Sequence, residues 1–552
     1  MSDLRRREFL KTLLAGTTGL ACSSPLQVFL TNMLLNFKTQ ALAQTPGFEH
    51  LLNDYKMINF SMAGGAARYY WDNPMKPNGN TDPFIPSQQV ITELRRVNGV
   101  ITGSYENIQY GGYYLPSIWK CMVPTVGGST PMTTLADNMI MIRGINIGLD
   151  SHDLSAKLHV YPVPGSSLLG LVAENAKTPL PAIGSGGGAF FGSKKGITYN
   201  ELAGSNPFGD ALNPFLSEGI NIRSISSATI EAEIDKAIAA MGADRSLIHP
   251  SPLSTTQDRL NAKKLLKSQF TGLQAAFSSL LQKYEGLISR AFSDEFKELG
   301  IDTFDFVIPG DAGSKFMSLT IGDQYTGPDI KTITDSQTSI SNLANGMAIA
   351  EYMITKGFSS TVSVSTGGWS NCLMNGGRGP ESSDPHETGS WVSLVLNAGF
   401  YRAYSACLLE LIRQLKSVYV GPGISMFDRT AITLTGDFNR SARYDGSGSD
   451  HGWDGTNYTI ISGMVPRLTV FGNVTSYKAE PTWTPRSYGT WGLGAPVAGL
   501  GGKIATIGNA ASTLATVLNF ESPTPNDKSL VYKNSEGKVV PVPGMGRPQN
   551  IA

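Results

Sequence analysis

The sequence predicts an α/β protein with a mostly parallel central sheet flanked by helices. Three observations carry that expectation. Five short apolar runs, each closed by glycine or a polar cluster, have the length and make-up of buried strands. Long stretches between them repeat apolar residues at three and four positions, as amphipathic helices do. One of these helices joins two of the strands, and a crossover helix is the connection a parallel pair requires.

In chain order, the first run is Met57-Ile58-Asn59-Phe60-Ser61-Met62 before Gly64-Gly65, and the second is Met139-Ile140-Met141-Ile142 before Arg143-Gly144. A helical pattern over 257–292, with Leu266, Phe270, Leu273, Phe277, Leu280, Tyr284 and Ile288, follows Ile230, Ile234 and Ile238. Together they predict a helical insertion at about 226–296. The third run is Thr361-Val362-Ser363-Val364-Ser365 before Gly367-Gly368-Trp369. The crossover helix over 391–418 carries Val395, Tyr401, Tyr404, Leu408, Leu411 and Leu415. It leads to Ala431-Ile432-Thr433-Leu434-Thr435 before Gly436-Asp437, then to Tyr458-Thr459-Ile460-Ile461 before Gly463. A last helix is expected at about 504–518, ahead of a Pro-rich polar end. The organisation read from this is an N-terminal segment at 1–43, an α/β domain over 44–500, and a C-terminal helix with polar tail at 501–552.

Lys+Arg and Asp+Glu are 44 each, so the formal net charge is zero and nothing steers the chain to nucleic acid or an anionic membrane. Charged residues are 16% of the chain, below the roughly 25% of an average soluble protein. With 61 Gly and 31 Pro the surface is weakly charged and rich in turns. Beyond the N-terminus no apolar run reaches the ~18 residues of a membrane span, so membrane contact is expected only through the N-terminal segment.

That segment, Arg5-Arg6-Arg7-Glu8-Phe9-Leu10-Lys11 followed by a mildly apolar stretch, resembles a twin-arginine export signal. Ala41-Leu42-Ala43 supplies a small-residue cleavage site, after an amphipathic stretch with Leu26, Phe29, Leu30, Met33, Leu34 and Phe37. The resemblance implies the twin-arginine translocase as a partner and a periplasmic or extracellular location. Cys121, Cys372 and Cys407 lie beyond the signal, so at most one intramolecular bridge is expected.

In open α/β sheets ligands bind beyond the carboxyl ends of the strands, so chemistry is sought just after each run. Candidates there are Ser151-His152, Asp384 with His386, Asp437 with Arg440, and Asp450-His451. Carboxylate plus imidazole suits a divalent ion such as Zn, Mn, Mg or Ca, and the guanidinium fork suits an oxyanion. His50, His159 and His249 are read as structural or surface residues.

The stretch Gly436-Asp437-Phe438-Asn439-Arg440 followed by Gly448-Ser449-Asp450-His451-Gly452 resembles the Glu-Phe-Gly-Arg and Thr-Asp-His-Gly signature of domain-of-unknown-function family 1501, in the alkaline phosphatase-like (sulfatase) superfamily. Gly64-Gly65, Arg143-Gly144 with Ser151-His152, and Gly367-Gly368-Trp369 are similar to further landmarks of that family, in the same order. The resemblance implies an alkaline phosphatase-like sheet and, in catalytic relatives, two metal ions that activate a Ser or Thr nucleophile on a phosphate or sulfate ester. It assigns Ser151, His152 and Arg440 to catalysis and Asp437, Asp450 and His451 to metal, with Asp384 and His386 as replacements for the Asp-Thr-His ligands that Ser370-Asn371-Cys372 does not supply. Gly65, Ser151, Gly368, Asp437 and His451 are expected around one cleft. The chain departs from the pattern in three places. Asp72 is the nearest aspartate to Gly64-Gly65, Ser370-Asn371-Cys372 stands where Asp-Thr-His is expected, and no histidine follows His451.

Two alternatives stay open. Gly368-Trp369-Ser370-Asn371-Cys372 resembles a nucleophile elbow, with Ser370 attacking and Asp437 and His451 following in order. A non-catalytic exported protein would instead use the same fold for binding or assembly, with Tyr69, Tyr70, Trp71, Tyr110, Tyr113 and Tyr114 exposed to a carbohydrate or a protein partner.

Overall fold

The computed structural model describes residues 54–62, 66–74, 93–97, 100–104, 106–149, 151–176, 178, 181–185, 190–197, 199–202, 276–291, 294, 340–366, 390–442, 449–452, 455–476 and 491–546. Over 93–97, 100–104, 340–342, 390–396, 441–442, 450–452, 475–476 and 491–493 it describes the backbone alone. Eight strands form the central sheet: β1 (Lys56–Met62), β2 (Met139–Ile145), β3 (Ala182–Ser185), β4 (Tyr199–Leu202), β5 (Thr361–Ser365), β6 (Thr430–Gly436), β7 (Thr456–Ile461) and β8 (Thr469–Gly472). Their order across the sheet is β4-β3-β5-β1-β6-β7-β2-β8. All run the same way except β7, which is antiparallel to both β6 and β2. The chain is therefore an α/β protein with a large, mostly parallel sheet.

The near-continuous apolar runs of β1, β2 and β6 follow from their place: each is covered on both faces, so no alternation is needed. One face packs against α4 (Ile340–Thr355) and α5 (Ser390–Ser417), with Phe60, Met141, Val362 and Leu434 meeting Met347, Tyr404 and Leu411. The opposite face, with Ile140, Ile142, Ala431 and Ile460, packs against α2 (Leu168–Ala173) and α6 (Ile507–Leu518). Helix α1 (His152–Val160) lies against β6. Helix α4 comes so close to β5 that a Cβ at Gly346 would fall 2.3 Å from Val364 Cγ1.

The insertion is described only at its helix α3 (276–291), where Phe277, Tyr284, Leu287 and Ile288 join the core. Lys283 Nζ reaches Glu351 Oε2 at 2.6 Å and Glu410 Oε1 at 3.0 Å, and Tyr284 donates to Glu351 at 2.6 Å. One cation thus ties the insertion to both α4 and α5. The rest of the predicted insertion lies outside the described residues. The C-terminal helix starts at Thr506, whose side chain accepts from Asn509 N–H in a capping box. Beyond it Leu530, Val531 and Val539 are buried against the sheet, so the polar-looking tail contributes to the core. No helix among the described residues is long and apolar enough to cross a membrane.

The aromatics expected on the surface lie elsewhere. Tyr69, Tyr70, Trp71 and Tyr113 are buried, while Tyr110 and Tyr114 are half-buried. A 3-10 turn over Arg68–Tyr70 folds this stretch back under the sheet, and Trp71 stacks on Trp119 at 5.4 Å and on Tyr401 at 5.9 Å. Rings next to a Gly-rich loop read as loop residues in the sequence, although here they supply the core with its largest buried surfaces.

Candidate functional site

Because β7 runs against its neighbours, its first residue lies at the edge where the parallel strands end. That edge collects Thr366 after β5, Asp437 after β6, Ser151-His152 after β2 and the backbone of Asp450-His451 ahead of β7. Thr366 N–H donates to Ser61 O at 2.9 Å, which brings the ends of β5 and β1 together. Gly64, Gly65, Gly367, Gly368, Ser370, Asp384 and His386 belong to the same stretches and lie outside the described residues. Of the three cysteines beyond the N-terminal segment, Cys407 is a buried free thiol, Cys121 is half-buried beside Met132, and Cys372 lies outside the description.

The residue pair that forms is His152 with Asp437. His152 Nδ1 meets Asp437 Oδ2 across 285 residues of sequence. The Asp437 side chain has no exposed surface, whereas that of His152 is 44% exposed. Asp437 Oδ1 accepts from Phe438 N–H at 2.9 Å, so both carboxylate oxygens are engaged. The His152 ring rests on Phe438 at 4.6 Å. Ser151 precedes α1 in extended conformation, and its side chain makes no capping bond to the helix.

Asn439–Ala442 and Ser449–Gly452 form a two-stranded hairpin, in which His451 stands opposite Arg440 and Asp450 opposite Ser441. Arg440 itself is buried, its guanidinium 5.8 Å from the centre of the Phe438 ring. Asn439 Nδ2 donates to Gly455 O at 3.1 Å, fastening the hairpin to the start of β7.

Two features beside the site were not seen as such in the sequence. His159, read as a structural or surface residue, is a structural one, buried in the last turn of α1. Its Nδ1 lies 2.9 Å from Ser155 O and its Nε2 3.4 Å from Thr456 Oγ1. Burial pushes its pKa down to about 4, against the upward pull of the Ser155 carbonyl and Asp437. The unfolded chain therefore takes up the proton first as pH falls, and stability is lost between about 6.5 and 4. This site is expected to account for about 3 kcal/mol of that loss. Urea unfolding of wild type and His159→Gln at both ends of the window checks it, and an equal slope in the two proteins would remove His159 as the cause.

The second feature is a buried ion pair. Arg68 Nε donates to Asp72 Oδ1 at 2.8 Å, and its Nη2 donates to Asp72 Oδ2. Asn457 Nδ2 and Thr459 Oγ1, both from β7, reach the same carboxylate at 2.9 and 2.8 Å. Arg143 Nε donates to the Asp72 carbonyl at 2.5 Å. The aspartate nearest to Gly64-Gly65 is thus consumed by an internal network and offers no ligand at the edge.

Among the described residues no group of three or more His, Cys, Asp or Glu side chains could hold a metal ion. One imidazole and one carboxylate already bonded at both oxygens fall short of a metal centre. The further donors expected from the sequence, Asp450, His451, Asp384 and His386, have side chains outside the description. No protein-family model, curated protein or solved structure matches the chain.

Proposed function

We propose that the chain is an exported ester hydrolase of alkaline phosphatase-like architecture, acting on a phosphate or sulfate ester beside His152. The His152–Asp437 pair at the carboxyl edge of the sheet carries this reading. A carboxylate only accepts, so Nδ1 bears the proton and the basic lone pair falls on Nε2. On a half-exposed ring, that nitrogen takes a proton from the attacking hydroxyl, of water or of Ser151, and returns it to the leaving oxygen. Asp437 fixes the ring and stabilises the imidazolium that forms. A divalent ion would be held by Asp450, His451, Asp384 or His386 beside Asp437, and no step above depends on one.

Assay of the folded protein on an aryl phosphate and an aryl sulfate tests the reading. His152→Ala should lower turnover by about 10²–10⁴-fold. Loss of activity on chelation, restored by Zn, Mn, Mg or Ca, would put the hairpin residues to use as ligands. A wild type inert with every ion would leave a binding or assembly protein on the same fold, contacting a polysaccharide or another protein. Activity that survives His152→Ala and disappears in Ser370→Ala would favour the serine elbow.

The export part of the proposal has its own test. Lysine at both Arg6 and Arg7 keeps the charge but removes the guanidinium pair. The variant is expected to stay in the cytoplasm, and an unchanged periplasmic yield would overturn twin-arginine export.

A further inference from the structure

We infer that the protein encloses an internal water site, built by Asn73, Tyr401 and Asn457 around the Arg68–Asp72 ion pair. Four polar atoms of these side chains are buried without a hydrogen-bond partner: both amide atoms of Asn73, the Tyr401 hydroxyl and Asn457 Oδ1. None of the three residues is more than 1% exposed. Buried polar groups that lack partners cost free energy, and ordered water is the usual remedy.

The three side chains belong to one neighbourhood. Asn73 N–H donates to Arg68 O at 3.1 Å, and the Asn457 amide is 2.9 Å from Asp72 Oδ1 through its other atom. The Tyr401 ring stacks on Trp71 with only 11° between the planes, and its phenol feels the charges of both Arg68 and Asp72.

The chemistry selects the ligand. The open atoms are all uncharged, so the site calls for neither anion nor cation. Its open atoms include donors, the Asn73 amide hydrogens and the phenol hydrogen, and acceptors, the two amide oxygens and the phenol oxygen. A small neutral molecule that donates and accepts at once meets this set, and complete burial leaves water as the occupant. A buried water typically makes about three hydrogen bonds, so the four atoms suit one or two waters.

The site stands whether or not His152 is catalytic, and its test does not use activity. A high-resolution crystal structure should show ordered water within hydrogen-bond distance of at least two of the four atoms. Tyr401→Phe keeps the ring stack and removes only the hydroxyl. If water is bound there, it loses a partner and the melting temperature falls. If the site is dry, an unpartnered buried hydroxyl is removed and the melting temperature rises. Density for the water together with a lower melting temperature is the expected result. Absent density, or a variant melting at or above the wild type, would overturn the inference.

Discussion

Methionine at position 68 is expected to destabilise the protein by about 3–5 kcal/mol, the cost of stranding one member of a buried ion pair. Asp72 would keep only Asn457 and Thr459 as side-chain partners, at a position with no exposed surface. Domains are typically stable by about 5–15 kcal/mol, so the variant would stand near the threshold of folding. Removing the second charge tells the penalty of a stranded ion from the worth of the pair. Arg68→Met with Asp72→Leu should recover much of the loss, because apolar residues of similar volume replace buried ion pairs at little cost. Urea midpoints of the two variants decide it. A single variant as stable as the wild type would mean that the network does not hold β1 to β7.

Asparagine at position 437 is expected to leave the fold intact and abolish most turnover, if the proposed hydrolysis takes place at His152. The amide is nearly isosteric and its oxygen still accepts from Phe438 N–H, but its NH₂ group donates where the carboxylate accepted. His152 would then turn its Nδ1 lone pair toward residue 437 and carry the proton on Nε2, the wrong tautomer for a base. A comparable tautomer reversal in a serine protease costs about 10⁴-fold in turnover, and a loss of that order is expected here. Steady-state rates on an aryl ester measure the loss, and imidazole nitrogen NMR reports the tautomer directly. Full turnover in Asp437→Asn would remove the orienting role of the carboxylate.

The runs of β1, β2, β5, β6 and β7 were legible because a strand covered on both faces is rich in apolar and β-branched residues. The direction of β7 was not, since Tyr458-Thr459-Ile460-Ile461 reads the same for a parallel or an antiparallel neighbour. Strands as short and mixed as Ala-Ile-Gly-Ser and Tyr-Asn-Glu-Leu carry no periodicity to find. Helix α1 was hidden for a related reason. Its nine residues include two histidines, a lysine and an aspartate, and only part of it is buried. At the site, the sequence singled out His152 and Asp437 separately, each just past a strand, whereas their pairing depends on where β2 and β6 stand in the sheet. His159 and the Arg68–Asp72 pair gave no signal because neither belongs to a motif. Their partners Thr456, Asn457 and Thr459 reach them only through the fold.

The central position of β1 also sets a timetable for synthesis. Its two neighbours are β5 and β6, and Asn59 bonds to Thr433, 374 residues further along the chain. At about 5–20 residues per second a ribosome needs roughly 20–75 s to cover that interval. For most of this time, until β5 is made, the strand at the heart of the sheet has no lateral partner, and its apolar side chains are open to chaperones and to aggregation. If the proposed twin-arginine export takes place, a translocase that accepts only folded cargo cannot act on the opening arginines until β6 and the strands after it are made. Slowing translation between these two strands should therefore lower the yield of folded protein, whereas an equal pause placed after β8 should not.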